Sequence, residues 1–161
     1  MPSIHARSLH IAQDDLSRFW NQLAPGDTES KTSAIPRVWL DGRVHAEPDG
    51  SFSVVALVWL PGQRTPVHDH VSWCVTGVHQ GTESEHRYRL LPWGGAARLE
   101  ATEVVTNPVG SVCGFAPPGD IHEVRNSGAG TAISLHIYGA DVVRLGGSVR
   151  RVYERPDGER G

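Results

Sequence analysis

Apolar residues recur along this chain with a helical period near its start and with strand periods everywhere else. In AQDDLSRFWNQLA (12–24), Leu16, Phe19, Trp20 and Leu23 follow the i, i+3, i+4, i+7 spacing of one helix face, and Pro25-Gly26 ends the pattern. GDTESKTS (26–33) is polar and aperiodic, as a linker is. After Pro36 the chain becomes a series of short β-type runs: FSVVALVWL (52–60), VSWCVTGV (71–78), ESEHRYRLL (83–91), RLEATEVV (98–105), SVCGFA (111–116), TAISLHIY (131–138) and VRRVY (149–153). DG, PG, PWGG, PPGD and NSGAG punctuate them as turns. The pattern predicts a helix and linker over 1–35, an all-β barrel or sandwich of mostly antiparallel strands over 36–155, and a solvated tail over 156–161.

Composition narrows the function classes. A length of 161 residues suits one domain with a substantial core. The formal net charge of −3 gives no basic surface for nucleic acid or anionic lipid, so neither is an expected partner. MPSIHARSLHIAQDD lacks the apolar core of a signal peptide, and no stretch approaches membrane-spanning length. Cys74 and Cys113 are the two cysteines, with no CxxC between them. That usage favours a reducing cytoplasm, although a single Cys74–Cys113 disulfide stays open.

The nine histidines divide into scattered and clustered ones. His5, His10 and His45 stand alone, and His79 and His86 flank a turn between polar strands. His68 and His70 lie two apart in PVHDH, which on a strand puts both rings on one face. His122 follows the turn-forming PPGD. A pair from one strand and a third ring from a distant strand can offer three facial nitrogens and leave the other coordination positions open, which metal catalysis requires. Spacing alone leaves three unrelated histidines as an equal reading. In TAISLHIY, Ser134, His136 and Tyr138 alternate with Ile133, Leu135 and Ile137, so the three polar residues share a face. Taken by itself, that face reads as solvent-exposed.

The chain resembles the cupin superfamily through two motifs. The family's G-x5-H-x-H-x3-E-x6-G is met by Gly62, His68, His70, Cys74 and Gly81, with cysteine in the glutamate position. Its P-x-G-x2-H-x3-N is met by Pro117, Gly119, His122 and Asn126, while the leading glycine, Gly110, is one residue out. The likeness extends over roughly residues 39–153, and the N-terminal part is shorter than the family's. It implies a double-stranded β-helix (jelly-roll) barrel. Loss of the glutamate, together with Ser-x-His-x-Tyr, is the pattern of the thiol dioxygenases that act on cysteine and mercaptopropionate.

That resemblance implies Fe(II) held by His68, His70 and His122, with nickel a less favoured metal. It implies a small thiol and O2 as reactants, L-cysteine going to cysteine sulfinate or a mercaptopropionate-type acid to its own sulfinate. Tyr138 would hydrogen-bond oxygen or the substrate carboxylate, oriented by His136 and Ser134. Some family members join a cysteine near the position of Cys74 to the triad tyrosine by a thioether, so a Cys74–Tyr138 cross-link is an expectation. The alignment needs a one-residue gap, and a small buried thiol filling space is the alternative. Relatives place a carboxylate-binding residue on the strand before the metal motif, near LDGRVH (40–45). Arg43 is the candidate there, Asp41 the gapless match, and Arg144 a further cation. The competing functions are a cysteine-oxidising cupin of specialised metabolism with another product or metal, and a non-catalytic ligand-binding or sensor cupin. Cupin barrels also pair edge to edge, so monomer and homodimer are both expected.

Overall fold

The computed structural model describes residues 40–93 and 96–155; the expected helix over 12–24 and tail over 156–161 lie outside them. Among the described residues ten strands follow one another: β1 Leu40–Ala46, β2 Ser53–Trp59, β3 Val67–His70, β4 Cys74–Gln80, β5 Thr82–Trp93, β6 Ala96–Pro108, β7 Val112–Phe115, β8 His122–Asn126, β9 Ala132–Tyr138 and β10 Val149–Tyr153. They form two five-stranded sheets, ordered β1-β2-β9-β4-β7 and β10-β3-β8-β5-β6, with every pairing antiparallel.

The pairings are nested. β5 pairs β6, β4 pairs β7, β3 pairs β8 and β2 pairs β9, as in one long hairpin. The hairpin is wound so that alternate pairs fall in opposite sheets, and β4–β9 and β5–β8 contacts join its successive turns. This is a double-stranded β-helix, the jelly-roll arrangement of cupins. Winding brings the two histidine segments together, because β3 and β8 are partners with His68 directly opposite His122.

Local sequence explains the elements. After Ser53, β2 is apolar from Val54 to Trp59 because the strand lies inside its sheet and is covered on both faces. Val55, Leu57 and Trp59 enter the core between the sheets with Cys74, Val124, Ala132, Tyr138 and Val142. A smaller cluster of Val67, Tyr88, Leu99 and Ile121 packs with Tyr153 against the second sheet. Gly81 alone links β4 to β5 at φ +77°, and a side chain there would also collide with Ala132. Asn126, 1 % exposed, fastens the end of β8: its amide donates to Trp59 O at 3.0 Å and Gly130 O at 2.8 Å, and its oxygen accepts Gly128 N–H at 2.9 Å.

The strands differ from the series of β-type runs, which starts β4 early and omits β1, β3 and β8. The run over 71–78 becomes strand only at Cys74, because Val71–Trp73 form the corner between β3 and β4, where Trp73 O accepts the Gly139 N–H at 2.9 Å. HEVRN, which carries no strand pattern, is β8. Cys74 and Cys113 are free thiols. No helix among the described residues is long and apolar enough to cross a membrane.

Candidate metal centre

On β9 the polar positions are the buried ones. Ala132, Ser134, His136 and Tyr138 point inward, while Ile133, Leu135 and Ile137 occupy the half-buried outer face. This reverses the isolated reading of the strand, and it brings a serine, a histidine and a phenol into a core that also holds His68, His70 and His122. Placing that many polar groups between two sheets is costly unless each finds a partner.

The three imidazoles find theirs on one side of each ring. His68 Nδ1 lies 2.9 Å from Pro66 O, His70 Nδ1 lies 3.2 Å from Asp120 Oδ2, and His122 Nδ1 lies 2.8 Å from Glu85 Oε1. A carbonyl or an ionised carboxylate only accepts, so each Nδ1 carries the hydrogen and each Nε2 is left with a bare lone pair. One ligand atom from each ring can be chosen so that all three lie within 4.8 Å of one another, and the ring centroids are 4.7, 4.8 and 5.0 Å apart. Carboxylates that hold the far nitrogen of metal-binding histidines are a recurrent device for fixing tautomer and orientation. Phe115 closes one wall, its ring 4.8 Å from His70 and 4.6 Å from His122.

No carboxylate joins the donor set among the described residues. Asp69, between the two histidines of β3, points to the other face, where Arg150 donates to its Oδ2 at 2.6 Å and Tyr153 at 2.8 Å. Glu123, beside His122, is held by Arg155 at 2.8 and 3.2 Å. Asp120 Oδ2 takes both the ring and the backbone N–H of His70. Burial raises the Glu85 carboxyl, but hydrogen bonds from His122 and Arg87 outweigh it and hold it at about 2, a committed carboxylate.

The remaining polar side chains make a line. Trp59 Nε1–H donates to Ser134 Oγ at 3.0 Å, Ser134 Oγ lies 3.0 Å from His136 Nε2, and His136 Nδ1 lies 3.4 Å from the Tyr138 hydroxyl. The Tyr138 ring faces His70, centroids 6.1 Å apart. Cys74 is the cross-strand partner of both Tyr138 and Phe115; its sulfur is hydrogen-bonded to the Tyr138 hydroxyl and 3.9 Å from His136 Nδ1. Burial pushes the Cys74 thiol up, so it is a protonated neighbour and not a thiolate.

The structure thus gathers His68, His70, His122, Ser134, His136, Tyr138 and Cys74. Asp41 and Arg43 pair opposite Leu57 and Val55 on β2, and their side chains lie outside what the structure describes. Arg144 is exposed in the turn after β9, His79 and His45 are exposed, and His5 and His10 fall outside the described residues. Sequence reasoning missed Glu85, Asp120, Trp59 and Phe115. Asp120 had a faint signal, an acid two residues before a candidate ligand; Glu85 had none, since its strand reads as polar and exposed.

No protein-family model matches the chain. Among solved structures, it is similar to a cupin domain of an XRE-family transcriptional regulator from Enterobacter cloacae, at 16% identity over 63% of this chain and 95% of that one, TM-score 0.44. It is similar to an RmlC-like cupin from Desulfovibrio desulfuricans, at 19% identity over 69% and 98%, TM-score 0.46. It is also similar to an oxalate oxidase complexed with the substrate analogue glycolate, at 14% identity over 70% of this chain and 56% of that chain, TM-score 0.49. These neighbours are cupin-domain proteins. At such identities the likeness is one of fold.

Two expected results follow from this geometry. Glu85→Gln or Asp120→Asn removes the anion that holds a ligand's far nitrogen, so metal affinity should fall about 10–100-fold while the sheets remain intact. Competitive metal titration, with circular dichroism as the folding control, measures it; unchanged affinity would mean the carboxylates do not orient the rings. The second concerns pH. Burial, reinforced by the neighbouring imidazoles, depresses His68 to about 3, His70 to about 4 and His136 to about 3. Each depressed imidazole takes up a proton on unfolding below its ordinary value of 6.5. The metal-free chain should therefore be most stable above that value and lose up to about 1.4 kcal/mol per pH unit for each ring as pH falls toward the depressed values. Melting curves of the metal-free chain at a series of pH values test this, and a flat response would show the rings to be solvated.

Proposed function

We propose that this chain is an iron-dependent thiol dioxygenase that converts a small thiol, L-cysteine first and a mercaptopropionate-type acid next, to its sulfinate with O2. The observation that carries the reading is three neutral nitrogens, without a carboxylate, faced by a phenol that His136 and Ser134 hold in place. The donor chemistry fits Fe(II), which three uncharged ligands would leave with its full positive charge. When bound, that ion would ionise the substrate thiol and bring sulfur and dioxygen together.

The protein's own residues do the rest. Tyr138 directs a hydroxyl at the reactants, and His136 and Ser134 limit where that hydroxyl can go. Phe115 and the core behind it keep water away from the sulfur. Both oxygen atoms of O2 end on sulfur, so R–SH plus O2 gives R–SO2H with no other reductant. Arg43 is the proposed partner of the substrate carboxylate, with Asp41 the contact for an amine. A sensor cupin needs no positioned phenol, which is why the catalytic reading is preferred.

The test is oxygen uptake and product mass with the Fe(II)-loaded chain against a panel of thiols, using isotope-labelled O2. Stoichiometric sulfinate carrying both labels is expected. No uptake with any thiol sinks the proposal.

The pairing of Cys74 with Tyr138 supports the thioether reading. Joining the sulfur to the ring carbon beside the hydroxyl breaks one S–H and one C–H bond, and dioxygen accepts the pair of hydrogens. After aerobic turnover the intact mass should drop by that pair, reductant should not restore it, and Cys74→Gly should abolish the change yet keep appreciable activity. Peptide mapping decides. If the peptides carrying Cys74 and Tyr138 always separate unmodified, Cys74 only fills space.

A further inference from the structure

Arg64 and Arg125 face one another across an isolated antiparallel bridge that extends the β3–β8 pairing beyond His68 and His122. The Thr65 N–H donates to Val124 O at 2.9 Å, and the Asn126 N–H donates to Gln63 O at 2.9 Å. Those two bonds flank the arginine pair and neither belongs to it, so the pair occupies the non-hydrogen-bonded position of an antiparallel ladder. At such a position the Cα atoms stand about 4.5 Å apart and the side chains are closest. Both side chains leave the sheet on the same side. On β8 Arg125 shares that side with Glu123, while His122 joins the metal cluster and Val124 the core on the other. The two arginines therefore lie on the back of the strands that carry His68 and His122.

Like charges directly opposite one another destabilise a strand pair. Here both cations are also half-buried, and the Nε of Arg125 is buried with no hydrogen-bond partner. Among the described residues no carboxylate forms an ion pair with either guanidinium. The acids on this side of β8 and β3 are engaged elsewhere: Glu123 by Arg155 at 2.8 and 3.2 Å, Asp69 by Arg150 at 2.6 Å and Tyr153 at 2.8 Å. Ser84, 7 % exposed, is the cross-strand partner of Arg125 on β5 and adds a hydroxyl to the same side.

We propose that Arg64 and Arg125, with Ser84 beside them, form a binding site for a phosphate group on the outer face of the barrel, separate from the metal centre. A phosphate monoester carries about −1.5 to −2 charges at pH 7 and three strong acceptor oxygens, which matches two adjacent guanidiniums and a hydroxyl. A carboxylate brings one charge and leaves half of the pair uncompensated. Guanidinium forks also bind phosphate oxygens in pairs, with a geometry that an ammonium does not offer. Seated between the two arginines, the anion turns one repulsion into two attractions and gives the buried Nε of Arg125 an acceptor. This site does not depend on the dioxygenase reading, which uses the opposite face of the same strands.

The test is calorimetric titration of the full zinc-loaded chain with methyl phosphate and with inorganic phosphate, at constant ionic strength set by sodium chloride. Saturable binding is expected, and Arg64→Gln and Arg125→Gln should each weaken it by about 10–100-fold, the worth of a hydrogen bond to a charged group. Tighter binding of methyl phosphate would identify a phosphorylated molecule as the ligand, and tighter binding of inorganic phosphate the free ion. Melting curves add a test of sign. In chloride alone Arg64→Gln should melt no lower than the unmodified chain, because it relieves the repulsion. In phosphate the unmodified chain should gain stability with concentration and the variant should not. An arginine with only a structural role would cost stability in both buffers when replaced, and that result would overturn the proposal. Absence of saturable binding to the unmodified chain would overturn it too, even if neither variant folds. So would binding that both variants retain, since the anion would then sit elsewhere, as on the metal. No thiol or oxygen enters these measurements, so their failure leaves the function reading standing, and a chain that oxidises no thiol leaves this site standing.

Discussion

Replacing His122 with alanine is expected to abolish iron binding and activity together. His122 contributes one of three ligand atoms, from the strand that lies directly against His68. Loss of an orienting carboxylate alone costs about 10–100-fold in metal affinity, so loss of the ligand itself should exceed about 100-fold. The same substitution strands Glu85, a buried carboxylate held low by His122 and Arg87 together. With Arg87 still in place the fold should survive with a penalty of roughly 1–3 kcal/mol. His79→Ala and His86→Ala are the controls; one is exposed and the other half-buried on strands that carry no ligand, and both should keep metal and activity. Iron content after anaerobic reconstitution is the measurement. Full occupancy in His122→Ala would refute the centre, whatever its activity.

That His68, His70 and His122 come together was legible through the two motifs that resemble the cupin pattern, since spacing alone left three unrelated histidines as an equal reading. What holds them was not. Glu85 is 37 residues from His122, and Asp120 is 50 from His70, so each orienting contact exists only through the winding of the hairpin. A carboxylate on ESEHRYRLL reads as solvated because nothing local shows that β8 lies against it. The same blindness hid β8. HEVRN has one apolar residue, yet it is a strand in which three of the four polar side chains are answered from elsewhere: His122 by Glu85, Glu123 by Arg155, Asn126 by Trp59 and Gly130.

The β9 pattern makes the complementary point. Alternation told correctly that Ser134, His136 and Tyr138 share a face, because that follows from the geometry of one strand. Which face is inside depends on the partner sheet, and amphipathic patterning alone favours the wrong one. An inward polar face is tolerated here because Trp59, Ser134, His136, Tyr138 and Cys74 satisfy one another. Inverted patterning of this kind, a polar row buried beside an apolar row, marks an internal site.

Tyr138→Phe isolates what that row is for. The substitution removes one hydroxyl and keeps the ring, which is 4 % exposed and packs against His70 and opposite Cys74. The metal ligands are untouched, so iron content and thiol binding should match the unmodified chain. What is lost is a donor held in place by His136 Nδ1 at 3.4 Å. Losing one preorganised donor of this type costs on the order of 10²-fold or more in the chemical step. The loss should fall on kcat and on coupling, with oxygen consumed in excess of sulfinate formed, while the thiol dissociation constant stays put. His136→Gln should reproduce a part of that defect, since the phenol would keep its hydroxyl but lose its orientation. Rate, oxygen uptake and sulfinate yield measured together on the two variants decide it. If Tyr138→Phe turns over at the original rate with one sulfinate per O2, the phenol takes no part in the chemistry, and Ser134, His136 and Tyr138 are only a way of satisfying polar groups inside the barrel.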